Sequence, residues 1–271
     1  MQNVFDLQKL RHNKQLSLKG FDAHDFLFSF AAESINDRFS DIKRDFEQGL
    51  LIGRRGEDLI GKPEAVAEMT VYDDLSADLE DLSLEANSLD CVIGNMCQHH
   101  VNDLPGHLIQ INRALKPDGL FIGAMIGGES LFELKESFMA VEMALYGGAA
   151  PHIHPFADKQ QMGALMQRAG FALPVVDSDL ITVSYTDIYK LMKDVKGMGE
   201  GYALNVSPRH YSHAFFEQVD SYYKEHFKDD EDETRIQATF EIIYLLGWAP
   251  HESQQKPLKP GSAETKMTDV L

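Results

Sequence analysis

Ser88 to Gly128 reads SLDCVIGNMCQHHVNDLPGHLIQINRALKPDGLFIGAMIGG, and its reading decides the fold. Leu89 to Gly94 is a short apolar run with β-branched residues, which suits a strand buried on both faces. Asn102 and Asp103 offer N-caps for a helix that tolerates Pro105 in its first turn. Leu104, Leu108, Ile111 and Leu115 recur at helical spacing, with Gln110, Asn112, Arg113 and Lys116 on the wet face. Lys116-Pro117-Asp118-Gly119 stops the helix, because Pro cannot continue it and Gly119 is expected to take a positive φ. Leu120 to Ile126 is a second apolar strand, closed by Gly127-Gly128. Strand, helix, turn and strand make a βαβ unit, so a parallel sheet with a right-handed crossover is expected.

Those residues also carry a resemblance. "SLD" before a strand, then "HVNDLPG" and "LKPDGLF", resembles the later half of class I S-adenosylmethionine (SAM) methyltransferases. The closer likeness is to one branch, which holds the malonyl-carrier methyltransferase of biotin synthesis and the mitochondrial complex I assembly factor associated with arginine hydroxylation. GGESLFELK (Gly127 to Lys135), PHIHPFAD (Pro151 to Asp158), LMQRAGF (Leu165 to Phe171), LMKDVKGMGE (Leu191 to Glu200) and GWAPHESQQKP (Gly247 to Pro257) are similar to the assembly-factor side. Several such segments in the same order carry far more weight than a lone LKPDG.

Composition sets outer bounds. A chain of 271 residues is comfortable for one α/β domain with additions, and 44% apolar with 10% aromatic residues can bury a sizeable core. The balance of 25 basic against 43 acidic side chains, a net −18, argues against nucleic acid or an anionic membrane surface as the main partner. Cys91 and Cys97 are the only cysteines, too few for a disulfide framework, and Cys91 is expected to pack as a small hydrophobe. No long apolar span and no secretory segment are visible, so a cytoplasmic location is expected.

Outward from the central unit, Val4 to Phe46 reads as a helical cap. Phe26, Leu27, Phe30, Ala31 and Ile35 form its stripe, with Asp22 or His24 near the helix start. Gly49 to Gly53 is the first strand; Gly61-Lys62-Pro63 breaks the helix after it. Met69 to Tyr72 is the second strand. Beyond the central unit, a helix follows Gly127 and ends at Gly147-Gly148, and another starts near Asp158. Leu173 to Val176 and Ile181 to Tyr185 read as two antiparallel strands joined by a polar turn at Asp177 and Asp179. Helices over Asp187 to Met198 and Phe215 to Phe227, then a strand over Gln237 to Trp248, complete the reading. The organisation expected is a cap over 1–48, a methyltransferase-like domain over 49–185, a C-terminal helical and strand addition over 186–253, and a loose tail over 254–271.

The resemblance implies a cofactor site. Its first strand ends in an acidic residue and then a G-x-G-x-G loop, where bare backbone must approach the cofactor. Aligned on Gly53, the acidic residue falls on Leu51, the second glycine on Arg55 and the third on Glu57, with Gly56 displaced by one. The "DLS" at Asp74 is similar to the segment whose Asp holds the ribose hydroxyls. Ala77-Asp78-Leu79-Glu80-Asp81-Leu82 is similar to the segment whose Asp receives the adenine amino group. In the family a helix and a strand separate these two segments; here they abut, so about one βα unit, roughly twenty residues, is missing. Gly53, Gly56, Asp74, Asp78, Leu79 and Asn95 are the SAM-binding candidates, with Met96 beside them.

His99 matches the His of the family's "LHWVND", with His100 replacing the aromatic, and is the candidate general base; a polar loop before a helix is the plainer reading. His152 and His154 flank Ile153, but no third ligand is indicated, so no metal site is expected. Two functions follow from the resemblance. One is a SAM-dependent methyltransferase or arginine hydroxylase acting on a protein or a carrier-bound small molecule. The other is a non-catalytic member, a pseudoenzyme, kept as an assembly module for a protein partner. If GGESLFELK, PHIHPFAD and GWAPHESQQKP wall a cleft above Asn95, catalysis is favoured; if they form one exposed surface, partner binding is.

Overall fold

The computed structural model describes residues 3–53, 56–73, 75, 78–206 and 209–255. The chain folds around a six-stranded sheet of order β2-β1-β3-β4-β6-β5. Its strands are β1 (Phe46–Ile52), β2 (Val66–Tyr72), β3 (Leu89–Asn95), β4 (Leu115–Ile126), β5 (Ala172–Tyr185) and β6 (Ile236–Trp248). The first four run parallel, β6 is antiparallel to β4, and β5 is antiparallel to β6. This is the mixed sheet of the Rossmann-like class expected. Alternation along the strands divides the core. Leu51, Ile93 and Ile122 face one layer, and Leu50, Val92, Phe121 and Ile243 face the other. Both faces are covered by helices, which is why β3 and β4 read as unbroken apolar runs.

The first layer holds α2 (Phe26–Ser40), α5 (Phe132–Tyr146), α7 (Ile188–Gly197) and α8 (His213–His226). α1 (Leu7–Ser17), capped by Asp6, packs with Leu204 and Ala203 in a small satellite core. On α2 the buried stripe is Leu27, Phe28, Ala31, Ala32, Ile35 and Phe39, whereas Phe30 is exposed. Asp25, not Asp22 or His24, occupies the N-cap position. The second layer holds α4 (Leu104–Ala114), with Asp103 as N-cap and Pro105 in its first turn, and α6 (Lys159–Arg168), which starts in a capping box between Asp158 and Gln161. No described helix is long and apolar enough to cross a membrane.

Three local expectations are corrected. LKPDG lies within β4, at an irregularity in its pairing with β3, and is not a separate turn before the strand; its positive φ belongs to Asp118 (+64°), not Gly119. An Asp tolerates that region, and Arg44 and Gln254 hydrogen-bond its carboxylate while Arg44 also reaches its carbonyl. Gly119 is required for space instead, since a Cβ there would lie 2.8 Å from the Lys116 carbonyl oxygen. Asp177 and Asp179 do not turn the chain. They sit within the single 14-residue strand β5, paired with Tyr244 and Ile242. As the outermost strand, β5 keeps carboxylates wet at little cost, and Arg38 meets Asp177 at 2.9 Å. Lastly, the 186–253 segment is woven into the sheet, because β6 lies between β4 and β5.

At the other side the sheet stops at β2. α3 (Gly56–Leu59) is a single turn, and between Tyr72 and Leu89 the described residues form neither helix nor strand. The sheet is short by one βα unit, as the abutting motifs implied.

Candidate functional site

Ligands in doubly wound sheets bind beyond the C-terminal ends of the parallel strands. There β1 ends at Gly53 and β3 at Asn95, and the two touch. A Cβ on Gly53 would strike the Asn95 carbonyl oxygen at 2.6 Å, and Gly53 holds φ +153°. Asn95 is fully buried; its amide donates to the Phe28 carbonyl (3.3 Å), while its Oδ1 has no partner among the described residues. Neither side-chain polar atom of buried Gln98 has one. Met96 between them sits at φ +52°, a conformation unfavourable for an unbranched apolar residue. Unpaired buried amide atoms beside a strained residue give this end of the sheet free donors and acceptors for a polar group.

The remaining cofactor candidates divide. Asp74 lies outside the described residues, and of Gly56 only its place at the start of α3 is described. Asp78 is exposed and its carboxylate caps the Glu80 N–H. Leu79, half-buried, accepts a 2.8 Å bond from His107 Nδ1 through its carbonyl. Glu80 accepts the N–H groups of Asn102 (2.7 Å) and Asp103 (3.0 Å), and Gln110 bonds Leu82 and Glu80. The 78–82 segment is thus moored on the N-terminus of α4, where a carboxylate is favoured. Asp78 and Leu79 border a small cavity with Lys14 and His100.

His99 belongs to a buried cluster that the sequence did not announce. His99 and His100 come from the 3-10 turn Gln98–His100, His154 from the loop before α6, and Glu200 from the loop after α7. His99 Nε2 lies 3.0 Å from Glu200 Oε2, and His100 Nε2 lies 3.3 Å from the same oxygen. His100 Nε2 and His154 Nδ1 are 3.0 Å apart, and the Ala203 N–H donates to His154 Nε2 at 3.0 Å. All four side chains are buried, and Phe5 and Phe156 pack edge-on against the rings. Burial is the first cause that lowers His154 to about 4 and His100 well below the ordinary imidazole value; Glu200 opposes it in both. These two imidazoles are therefore neutral at pH 7.

His154 and Glu200 also face a cavity of about 450 Å³. Its walls are apolar, with Leu27, Leu134, Phe138, Phe156, Met198 and Phe240 among them. The cavity gathers residues from GGESLFELK (Ser130, Leu131, Leu134), PHIHPFAD (His152, Ile153, His154, Phe156) and LMKDVKGMGE (Met192, Val195, Met198, Glu200). Asn95 is tied to its Leu27 wall through the neighbouring Phe28 carbonyl. GWAPHESQQKP does not join them. Its Ala249 and Gln254 clamp the LKPDG segment instead. Elsewhere on the rim, Glu142 is buried and accepts from Tyr211 Oη and the Ala150 N–H (2.7 Å), with His152 at 3.0 Å. Burial pushes Glu142 up, but these partners win and hold it below the usual carboxylate value. Glu200 and His154 carried a signal, since both sit in segments matched to the resembling family. Glu142 and Tyr211 carried none.

A family profile described as a methyltransferase domain matches residues 15–174. "Arginine-hydroxylase NDUFAF5, mitochondrial" of Danio rerio is 34% identical over 99% of this chain and 89% of its own length. The Homo sapiens protein of that name is 35% identical over 99% and 83%. "Malonyl-[acyl-carrier protein] O-methyltransferase" of Gallionella capsiferriformans is 31% identical over 64% of this chain and 57% of its own length. Among solved structures, the methyltransferase-like protein BH2331 of Bacillus halodurans superposes with a TM-score of 0.52 at 14% identity, covering 80% of this chain and 98% of that one. That last likeness is one of fold.

Proposed function

The chain belongs to the methyltransferase-domain family, on the branch that holds the NDUFAF5 arginine hydroxylases and the malonyl-carrier methyltransferases, and from that premise we propose that it modifies an arginine of a protein partner. The observation that carries this reading is the extent of the likeness. The Danio rerio and Homo sapiens hydroxylases match 99% of the chain, which takes in every cavity-lining segment, whereas the malonyl-carrier relative matches 64%. A cavity with apolar walls and polar groups at its inner end suits a side chain with a methylene stem and a polar head. The partner in this reading is a subunit of a respiratory complex under assembly, met in the cytoplasm.

SAM is the cofactor this reading carries, held at Gly53, Asn95 and Gln98. The unpaired amide atoms of Asn95 and Gln98 supply both donors and acceptors for a nucleoside or amino-acid group. When bound, SAM would supply an electrophilic sulfonium methyl group, which serves methyl transfer but adds no oxygen, so hydroxylation of an arginine would need an oxygen donor besides it. The protein's own part is to seat the acceptor and exclude water, which the apolar walls do. Asp78 accepts the Glu80 N–H through Oδ1 and keeps Oδ2 for a further donor.

Mass spectrometry of respiratory-complex subunits from wild-type and deletion cells tests the reading. An arginine that carries one extra oxygen in the wild type and loses it on deletion supports it. A lost methyl group instead returns the chain to methyl transfer. Neither change, with the complex failing to assemble, favours the non-catalytic module, the reading that the substituted glycine loop at Arg55 and Glu57 supports. Calorimetric titration with SAM and its demethylated product, beside Arg55→Gly, reports on the cofactor separately.

A further inference from the structure

The His99, His100 and Glu200 side chains each offer one ligand atom, and these atoms lie within 4.8 Å of one another. We propose that they form a binding site for one divalent first-row transition-metal ion, at the inner end of the apolar cavity and with His154 beside it. The donor set is two imidazoles and a carboxylate, the combination that selects ions of the iron, cobalt and zinc type. Metal–ligand bonds of about 2.0–2.2 Å place neighbouring donor atoms roughly 3 to 4 Å apart. The observed separations of 3.0 Å and 3.3 Å about Glu200 Oε2 match that spacing before any rearrangement.

Hydrogen-bond arithmetic supplies the second argument. His154 Nε2 accepts the Ala203 N–H, so the ring's own proton sits on Nδ1 and points at His100 Nε2. His100 Nε2 then presents a lone pair, and 3.3 Å away Glu200 Oε2 presents another. Two lone pairs that face one another across 3.3 Å are an arrangement that a shared cation suits. A bound ion takes the His100 lone pair and leaves the His154 N–H to turn toward the cavity. His99 Nδ1 accepts the Ile126 N–H in a long, weak bond (3.5 Å), which an ion at Nε2 breaks as the ring's proton moves to Nδ1.

Access is the third. A closed structural site has no free face, but Glu200 and His154 line the cavity, so a bound ion has a side open to small molecules.

The experiment uses the full chain without an affinity tag, stripped with chelator, and titrated with Co(II) and Zn(II) by calorimetry, with the visible spectrum of Co(II) recorded. One ion per chain is expected. Binding should weaken by about tenfold or more in His100→Ala and in Glu200→Gln, and stay unchanged in His251→Ala at the surface. Thermal unfolding followed with and without Co(II) keeps the test sound if a variant is poorly folded, since the ion should raise the wild-type Tm and leave that of Glu200→Gln unmoved. Failure of the wild type to take up either ion, or uptake that survives both substitutions, overturns the proposal. The first outcome would mean that a proton, or the charge of nearby buried Lys14, fills the place. Neither SAM nor a protein substrate enters these measurements, so their result stands apart from the hydroxylase reading.

Discussion

The two sides of the sheet are built to different standards. On the β1–β2 side the crossover helix is one turn long, the edge strand β2 exposes most of its residues, and the sheet ends a βα unit early. On the β4–β6–β5 side the strands run 12 to 14 residues, β6 is buried along nearly its whole length, and the cavity and histidine cluster adjoin it. The thin side carries the cofactor-loop positions of the family. The thick side carries the buried side-chain chemistry. A cofactor loop made of glycines works through backbone and can erode without unfolding the protein, whereas carboxylates and imidazoles buried on the other side persist only if the surrounding fold holds their partners in place.

Stability measurements can break this contrast. Ile243 in β6 is fully buried, so Ile243→Ala should lower unfolding stability by about 2–5 kcal/mol in urea titrations. Val71 in β2 is 38% exposed, and Val71→Ala should cost under about 1 kcal/mol in the same assay. Equal losses would mean that the two sides are equally built. An intermediate effect is expected where the sides meet. Gly53→Ala places a Cβ 2.6 Å from the Asn95 carbonyl oxygen at an unfavourable φ, so thermal unfolding should report a loss of about 1–3 kcal/mol.

A pH series sharpens the contrast on the thin side. His107 Nδ1 holds the Leu79 carbonyl, and burial is the main cause that keeps this imidazole's pKa below 6.5 in the folded chain. The unfolded chain binds the proton more readily, so this contribution is complete above pH 6.5 and is lost as pH falls toward the folded value. Wild type should therefore lose stability relative to His107→Gln between about pH 7.5 and about pH 5.5 (about one unit either side of the ordinary imidazole value), followed by denaturant midpoints at each pH. A constant difference across that range would show that His107 binds its proton equally well in the folded and unfolded states.

The smallest effect belongs to the outer edge of the thick side. Arg38 pairs with exposed Asp177 and lies 3.8 Å from the centre of the Tyr244 ring. Arg38→Ala should cost no more than about 1 kcal/mol, and high salt should shrink that difference. A larger, salt-insensitive loss would mean that packing on Tyr244 dominates.

Much of the fold was legible because its determinants are local. The apolar run at Leu89, the Asp103 cap, the Asp158 capping box and the αL glycine at Gly147 each act within a few residues, and each element formed where these signals placed it. Even the missing βα unit could be read, as two motifs brought too close together. Local reading failed where context chose between allowed conformations. Asp177 and Asp179 have turn chemistry, yet twelve paired positions with β6 hold them extended. Glycine looked like the left-handed residue of LKPDG, yet Arg44 and Gln254 stabilise that conformation at Asp118.

The sequence by itself determined the fold class, the family and the Gly53–Asn95 edge, because periodicity, capping and motif order are properties of neighbours along the chain. Only the tertiary structure decided that His99, His100, His154 and Glu200 share one buried point, and that three separated segments wall one cavity. His154 stands 54 residues from His100, and Glu200 stands 101 from His99. Spacing of that size encodes no distance. What joins them is the closure of the long loops onto the sheet, driven by apolar burial of the residues around them rather than by any preference of the histidines themselves.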